Sequence, residues 1–188
     1  QVLYDAYGDD AYSRGITVWT TIRKDSQESA YAAMRKGVFD YDRRHGYRGP
    51  EAFVSLPDKP DAQDTELERA FGDYPDQDNL LAAVVTVVGK ADLHARIASG
   101  ETIEISGDGL KFAARALADK ASAAQRIRPG AVIRVLRDDK GHYAITQLPQ
   151  AESAFVALRL SDGALLALFG GFDFDRNKFN HATQALRQ

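Results

Sequence analysis

Residues 81–89, 92–98, 102–106, 131–137 and 142–148 are short runs rich in β-branched and aliphatic side chains, with turn sequences between them. Ile103 and Ile105 alternate with Thr102 and Glu104, the period of two that a half-buried strand imposes. Gly107-Asp108-Gly109 marks a turn, and Asp138-Asp139-Lys140-Gly141 suits a hairpin connection. Between the third and fourth runs, Leu110, Ala113, Ala114 and Leu117 recur at helical spacing in a short alanine-rich helix. Five short strands with a helix between the third and fourth follow the order of an OB-type Greek-key barrel. Residues 80–148 are therefore expected to form a closed or nearly closed small barrel. Its core would draw on Val85, Val87, Ile103, Ile105, Ile133, Val135 and Ile145.

The flanks read differently. Residues 15–22 form a β-branched run with Ile16, Val18, Thr20 and Ile22 on one face and Thr17, Trp19 and Thr21 on the other, which predicts a strand. A helix over 26–41 follows, with Asp25 as N-cap and Glu28 three residues on. Tyr31, Met34, Val38 and Tyr41 make its apolar stripe, opposite Gln27, Glu28, Arg35 and Lys36. Pro57, Pro60 and the surrounding charges read as a loop over 55–64. Thr65 and Glu68 then open a second helix with the stripe Leu67, Ala70, Phe71 and Tyr74. After Pro149, Ala154–Leu160 and Ala164–Phe169 are two apolar strands joined by Ser161-Asp162-Gly163. The fold class predicted is mainly β with a few helices (α+β). An OB-like five-stranded barrel over 55–150 would emerge from a small discontinuous αβ subdomain, built by 1–54 and 151–188.

Composition narrows the function. The 188 residues are 44% hydrophobic and 27% charged, an ordinary globular balance. No apolar run is long enough to span a bilayer. The formal charge of -3 argues against a dedicated nucleic-acid binder. Absence of cysteine removes disulfides, thiolate metal sites and cysteine nucleophiles. The opening at Gln1 carries no readable signal peptide. A chain running from Gln1 to Leu186-Arg187-Gln188 reads as a piece of a larger parent.

Candidate chemistry is sparse. Asp173, Asp175 and Asn177 reproduce the opening of a calcium loop, but Lys178 stands where that loop needs glycine and Gln184 where it needs a bidentate glutamate. His45, His94, His142 and His181 are scattered singly, without the i, i+4 spacing of a metal face. No glycine-rich phosphate loop occurs, so no metal or cofactor site is expected. Arg43, Arg44, His45 and Arg48, interleaved with Tyr41 and Tyr47, have the residue types to contact an anion or RNA. Cations at a helix C-terminus, opposing the macrodipole, account for them more simply. A penicilloyl-serine enzyme needs S-x-x-K and K-T-G; no serine here has lysine three residues on, and no K-[ST]-G occurs. A glycan hydrolase needs two paired carboxylates, and nothing singles out a pair. No catalytic residue is assigned.

Three stretches nevertheless resemble one family. Tyr12-Ser13-Arg14-Gly15-Ile16-Thr17-Val18-Trp19-Thr20-Thr21-Ile22 resembles the strand that follows the glycosyltransferase domain of class A penicillin-binding proteins. Tyr41-Asp42-Arg43-Arg44-His45-Gly46-Tyr47-Arg48-Gly49-Pro50 resembles the segment just before the inserted domain in their type 1a branch. Ala154–Gln188 is similar to the opening of the transpeptidase domain, including Leu168-Phe169-Gly170-Gly171-Phe172-Asp173-Phe174 and Asn177-Lys178-Phe179-Asn180-His181-Ala182-Thr183-Gln184-Ala185. In that family the S-x-x-K serine follows closely, so the resemblance implies a chain that stops short of its parent's nucleophile.

The resemblance implies a bifunctional, membrane-anchored peptidoglycan synthase on the periplasmic side of the inner membrane. This chain would be a soluble accessory piece of it, reaching the membrane only through the parent's N-terminal anchor. The partner expected is an envelope protein docking on the OB-like domain. The alternative is an independent OB-fold module binding oligonucleotides. That module would need basic and aromatic residues together on its second and third strands. Residues 90–106 offer Lys90, His94 and Arg96, but no aromatic, and they carry Asp92, Glu101 and Glu104. With no activating lysine three residues after any serine, incubation with a labelled penicillin should leave the intact mass unchanged. Stoichiometric acylation would contradict this reading.

Overall fold

In the computed structural model, which describes residues 2–186, strand β2 (Leu80–Val88) is buried along most of its length. The reason is its position in the sheet. Strand β3 (Asp92–Ile97) pairs with one of its edges and β5 (Ala131–Arg137) with the other, both antiparallel. Ala83 and Val85 face the main core. Val84, on the opposite face, packs with Val132 beneath helix α4 (Pro60–Asp73) through Leu67 and Ala70. Strand β4 (Thr102–Ser106) extends the sheet beyond β3, with Ile103 opposite Ala95 and Ile105 opposite Leu93. The outer edge of β5 is shared by β1 (Ala52–Phe53) and β6 (Tyr143–Thr146).

The strand order expected from the sequence is present, but the barrel is not closed. No pairing joins β4 to β6 among the described residues; the hydrogen-bonded order is β1-β5-β2-β3-β4, with β6 off that path on β5. A 3-10 segment, Gly107–Ala113, runs into α5 (Ala114–Leu117) where a single short helix is expected from the sequence, and its Leu110 and Ala113 pack on the core. At Gly109 a Cβ would lie 2.3 Å from the Tyr143 carbonyl oxygen and 2.9 Å from Ile105 Cγ2. Glycine is required there by close approach of the two backbones.

Val87 is a correction. It is 52% exposed, whereas Val85 is 0% exposed. Between them the register shifts, Val85 facing Ala95 and Val87 facing His94. An extra residue at Thr86 breaks the alternation of faces, so Val87 turns outward and Val88 packs on the core instead. The other expected core residues, Val85, Ile103, Ile105, Ile133, Val135 and Ile145, are all buried.

The flanks converge as expected, with local differences. Helices α1 (Val2–Tyr7) and α2 (Asp10–Ser13) are short. Residues 15–22 contain no strand, and Trp19 is 88% exposed. A strand needs a free edge, and the nearest one, on β8 (Leu165–Phe169), is already filled. The Arg23 amide donates to Leu166 O at 3.0 Å and Thr21 Oγ1 to Leu165 O at 2.7 Å. Helix α3 (Lys24–Arg44) then intervenes. The Gln27 side chain donates to Leu168 O at 2.9 Å and accepts from the Leu168 amide at 2.9 Å, imitating a neighbouring strand. β8 pairs on its other side with β7 (Phe155–Leu158).

Both capping boxes give way to other starts. α3 begins at Lys24 with no side-chain cap, and Glu28 pairs with Lys24 at 3.6 Å. α4 begins at Pro60, because proline's fixed φ and missing donor suit the first helical turn; part of the expected loop is thus helix. Thr65 lies inside it and donates to Asp61 O at 2.9 Å.

Burial separates an isoleucine and a valine, Ile133 and Val87, that the sequence treats alike. Ile133→Ala should cost about 2–5 kcal/mol in urea unfolding, whereas Val87→Ala should cost less than about 1 kcal/mol. Equal losses would mean that the bulge at Thr86 is misplaced.

Candidate functional site

Helix α3 carries two buried charges of opposite sign, Arg35 and Asp42, each 5% exposed. They lie two turns apart and so share one face of the helix. Burying either without partners would be costly, and both are heavily partnered. Arg35 Nη2 donates to Asn79 Oδ1 at 2.9 Å and Nη1 to the Tyr31 hydroxyl at 3.1 Å. Its guanidinium stands 4.3 Å from the centre of the Phe172 ring, with Tyr31 and Phe39 at 5.2 and 5.6 Å. Such contacts are favourable for a desolvated guanidinium.

Asn79 comes, with Asp78, from a two-residue turn just before β2. Gln77 and Leu80 exchange both backbone hydrogen bonds at 3.0 Å, which places Asp78 at φ 55°. Asp tolerates this left-handed region better than most residues. Its carboxylate accepts the Tyr31 hydroxyl at 2.9 Å and lies 3.8 Å from Arg35 Nε. Burial, then the Asp78 hydrogen bond, pushes the Tyr31 phenol up to about 12. It remains a neutral donor throughout the physiological range. Arg35 thereby joins α3, the turn leading into the OB-like sheet, and the segment after β8.

At the other end of α3, Asp42 Oδ1 accepts Arg48 Nη1 at 2.7 Å and Oδ2 accepts Gln147 Nε2 at 2.6 Å. Gln147 Oε1 in turn accepts the Arg48 amide at 2.9 Å, and Nε2 also reaches Gly46 O at 3.0 Å. The chain enters the sheet past Arg48 and leaves it past Gln147, so one carboxylate gathers both crossings. Two further side chains, Arg134 and Glu152, brace the neighbourhood. Arg134 of β5, 3% exposed, meets both oxygens of Glu51 at 2.8 and 2.9 Å and donates to Pro75 O at 2.7 Å. Glu152 Oε2 accepts the Phe172 amide at 2.8 Å.

This joint contains residues that the sequence reading placed elsewhere. Arg35 was assigned to the polar outer face, yet it is buried. The aromatic residues one turn either side, Tyr31 and Phe39, were the signal for a sandwiched guanidinium. The basic cluster divides: Arg48 turns inward to Asp42, Arg44 lies over the Tyr41 ring at 5.8 Å, and the His45 ring nitrogen is 2.9 Å from Tyr41 O. Arg43 remains exposed.

The other candidates do not converge. Asp173 Oδ1 accepts the amides of Asp175 and Arg176, and Asn177 Oδ1 accepts that of Phe179, so these oxygens cap their own turns. His181 Nδ1 is 2.7 Å from Gly170 O, His94 pairs with Asp92 at 3.5 Å, and His142 with Asp138 at 3.3 Å. Among the described residues no three His, Asp or Glu side chains are grouped to hold a metal.

The outward surfaces carry contrasting chemistry. α4 has five carboxylates and one guanidinium, and Asp61, Asp64, Glu68 and Asp73 are exposed. Strands β3 and β4 contain no aromatic residue.

The model of the penicillin-binding protein OB-like domain matches residues 47–151, a span that contains the whole sheet from β1 to β6 and the Arg48–Gln147 crossing. Penicillin-binding protein 1A of Neisseria lactamica is 39% identical over 188 residues, covering all of this chain and 23% of the relative. Penicillin-binding protein 1A of Escherichia coli K12 is 35% identical over 196 residues, with the same two coverages. The crystal structure of penicillin-binding protein 1A from Haemophilus influenzae superposes with a TM-score of 0.83 at 29% identity, covering the whole chain and 27% of that structure. The chain belongs to the class A penicillin-binding proteins, in their 1A branch. It spans 23% of the length of the curated relatives it matches.

Removing the carboxylate at the crossing takes from Arg48 Nη1 and Gln147 Nε2 the one charged acceptor they share. Asp42→Ala should destabilise the chain by about 2 kcal/mol or more. Lys36→Ala, which breaks an equally short pair with Asp40 on the exposed side of α3, should leave the unfolding midpoint almost unmoved. Equal shifts would show that the crossing contributes no more than a surface ion pair.

Proposed function

We propose that this chain is a non-catalytic docking and spacing region of a bifunctional peptidoglycan synthase, a glycosyltransferase and D,D-transpeptidase of bacterial cell-wall growth. It would act on the periplasmic side of the inner membrane. Membrane attachment would come from elsewhere in the longer protein, since among the described residues no helix is long and apolar enough to cross a bilayer. The observation that carries the reading is the polar joint on α3. A surface that recruits another protein to an enzyme is useful only if its orientation is fixed, and paired buried charges fix orientation more strictly than apolar contact. The acid-rich face of α4 is one surface such a partner would meet. It presents Asp61, Glu68 and Asp73 to solvent, while Asp64 pairs with Arg96 of β3 at 3.6 Å.

The oligonucleotide-binding alternative finds little support. The charge is -3, the β3–β4 face lacks a stacking platform, and the α4 carboxylates would repel phosphate. The deciding experiment is a pull-down from envelope extracts, comparing the chain with a version lacking 58–148. Proteins retained by the first and absent from the second are expected. An unchanged set would reduce the OB-like unit to a spacer. Salt-dependent binding of single-stranded DNA at low micromolar strength in moderate salt would contradict the reading altogether.

A further inference from the structure

A cleft of about 980 Å³ opens between the β5–β6 hairpin loop, the 3-10 segment and the last turn of α3. Loops joining these strands commonly border the ligand face of an OB-type fold. Its charges are not evenly matched. Asp108 is held by Lys111 at 2.7 Å. Asp138 accepts the amides of Lys140 and His142 at 2.9 and 2.7 Å, and the His142 bond, its strongest influence, keeps its carboxyl below the usual range. Arg43, Arg137 and Lys140, from a helix end, a strand end and a loop, line the cleft, and none forms an ion pair among the described residues. Glu104 is the remaining carboxylate on the wall. With the amide-held Asp138 still an anion, four cationic side chains line the cleft against three carboxylates, so its balance is cationic by one charge although the molecule as a whole is anionic.

The rings choose between two kinds of anionic partner. Phe112 stands edge-on to Tyr47, with ring centres 5.6 Å apart, and Arg137 lies 5.7 Å from the Tyr143 ring centre. Both Phe112 and Tyr143 are half-buried, so neither offers the open platform on which bases would stack, while the uncovered part of each ring suits an aliphatic or aromatic side chain. We propose that this cleft docks an acidic peptide segment of a partner protein. Its carboxylates meet Arg43, Arg137 and Lys140, and an apolar side chain rests against Phe112 and Tyr143. The assignment rests on the docking reading above and adds the chemistry of what docks.

The test is fluorescence anisotropy of the full 188-residue chain with a labelled dodecapeptide of Asp, Glu and one Phe. Peptides with the acids replaced by Gln or by Lys, and an oligo-dT of equal length, complete the panel. The acidic peptide should bind about tenfold more tightly than the Gln peptide, and added salt should weaken it. Combined Arg43→Glu, Arg137→Glu and Lys140→Glu changes should remove that preference. Glu104→Gln, which deletes an opposing charge without adding bulk, should tighten binding, so the proposal does not depend on the triple variant's folding. Equal affinity for all peptides, tighter binding of oligo-dT, or no response to Glu104→Gln would overturn it. If envelope partners are lost on deleting 58–148 but kept by the folded triple variant, docking stands and this cleft is wrong. If deletion loses nothing, the docking reading itself fails.

Discussion

Arg35 and Asp42 can lie in the interior of this molecule because segments outside helix α3 supply most of their partners. Asn79 and Phe172 serve Arg35; Arg48 and Gln147 serve Asp42. Few of these contacts can be exchanged for another of similar energy. An apolar interface can slide at modest cost, but a displaced guanidinium or carboxylate would be left desolvated and unpaired. The apolar packing between the units, Val38 and Phe39 against Leu80 and Phe172, is small by comparison with the sheet's own core. Helix α3 is therefore a spine whose two charged positions register the OB-like unit against β8 and the segment that follows it.

Much of the sheet could be read in the sequence because strand periodicity and turn residues are local signals. Thr102–Ser106 and Ala131–Arg137 have the boundaries expected of them. The failures were non-local. Nothing near Val87 announces a bulge, which is set by the register with β3. Residues 15–22 have the composition of a strand, but a strand is made by its neighbour's edge, and Gln27 takes that edge on β8. The barrel stops short of closing for a related reason: the 3-10 segment lies against both Ile105 and Tyr143 at Gly109, while β4 and β6 do not pair.

The joint was less legible than the sheet. Asp42 and Arg48 were visible only as charges at a helix end, since the glutamine that completes the arrangement is Gln147, at the far side of the inserted sheet. Membership of the 1A branch gives this a context. Where the chain leaves α3 and returns to it is where the OB-like domain joins the remainder of these proteins, and one carboxylate holds both passages.

The central claim is that this joint holds the OB-like unit in a single orientation on α3. The chain's lack of cysteine allows spin labels at Ala32→Cys on α3 and Glu68→Cys on α4, both exposed positions, without a background. Double electron–electron resonance between them should give one narrow distance distribution, broadened when Arg35→Ala and Asp42→Ala are added. A broad distribution in the chain with Arg35 and Asp42 intact, or an equally narrow one without them, would contradict the account.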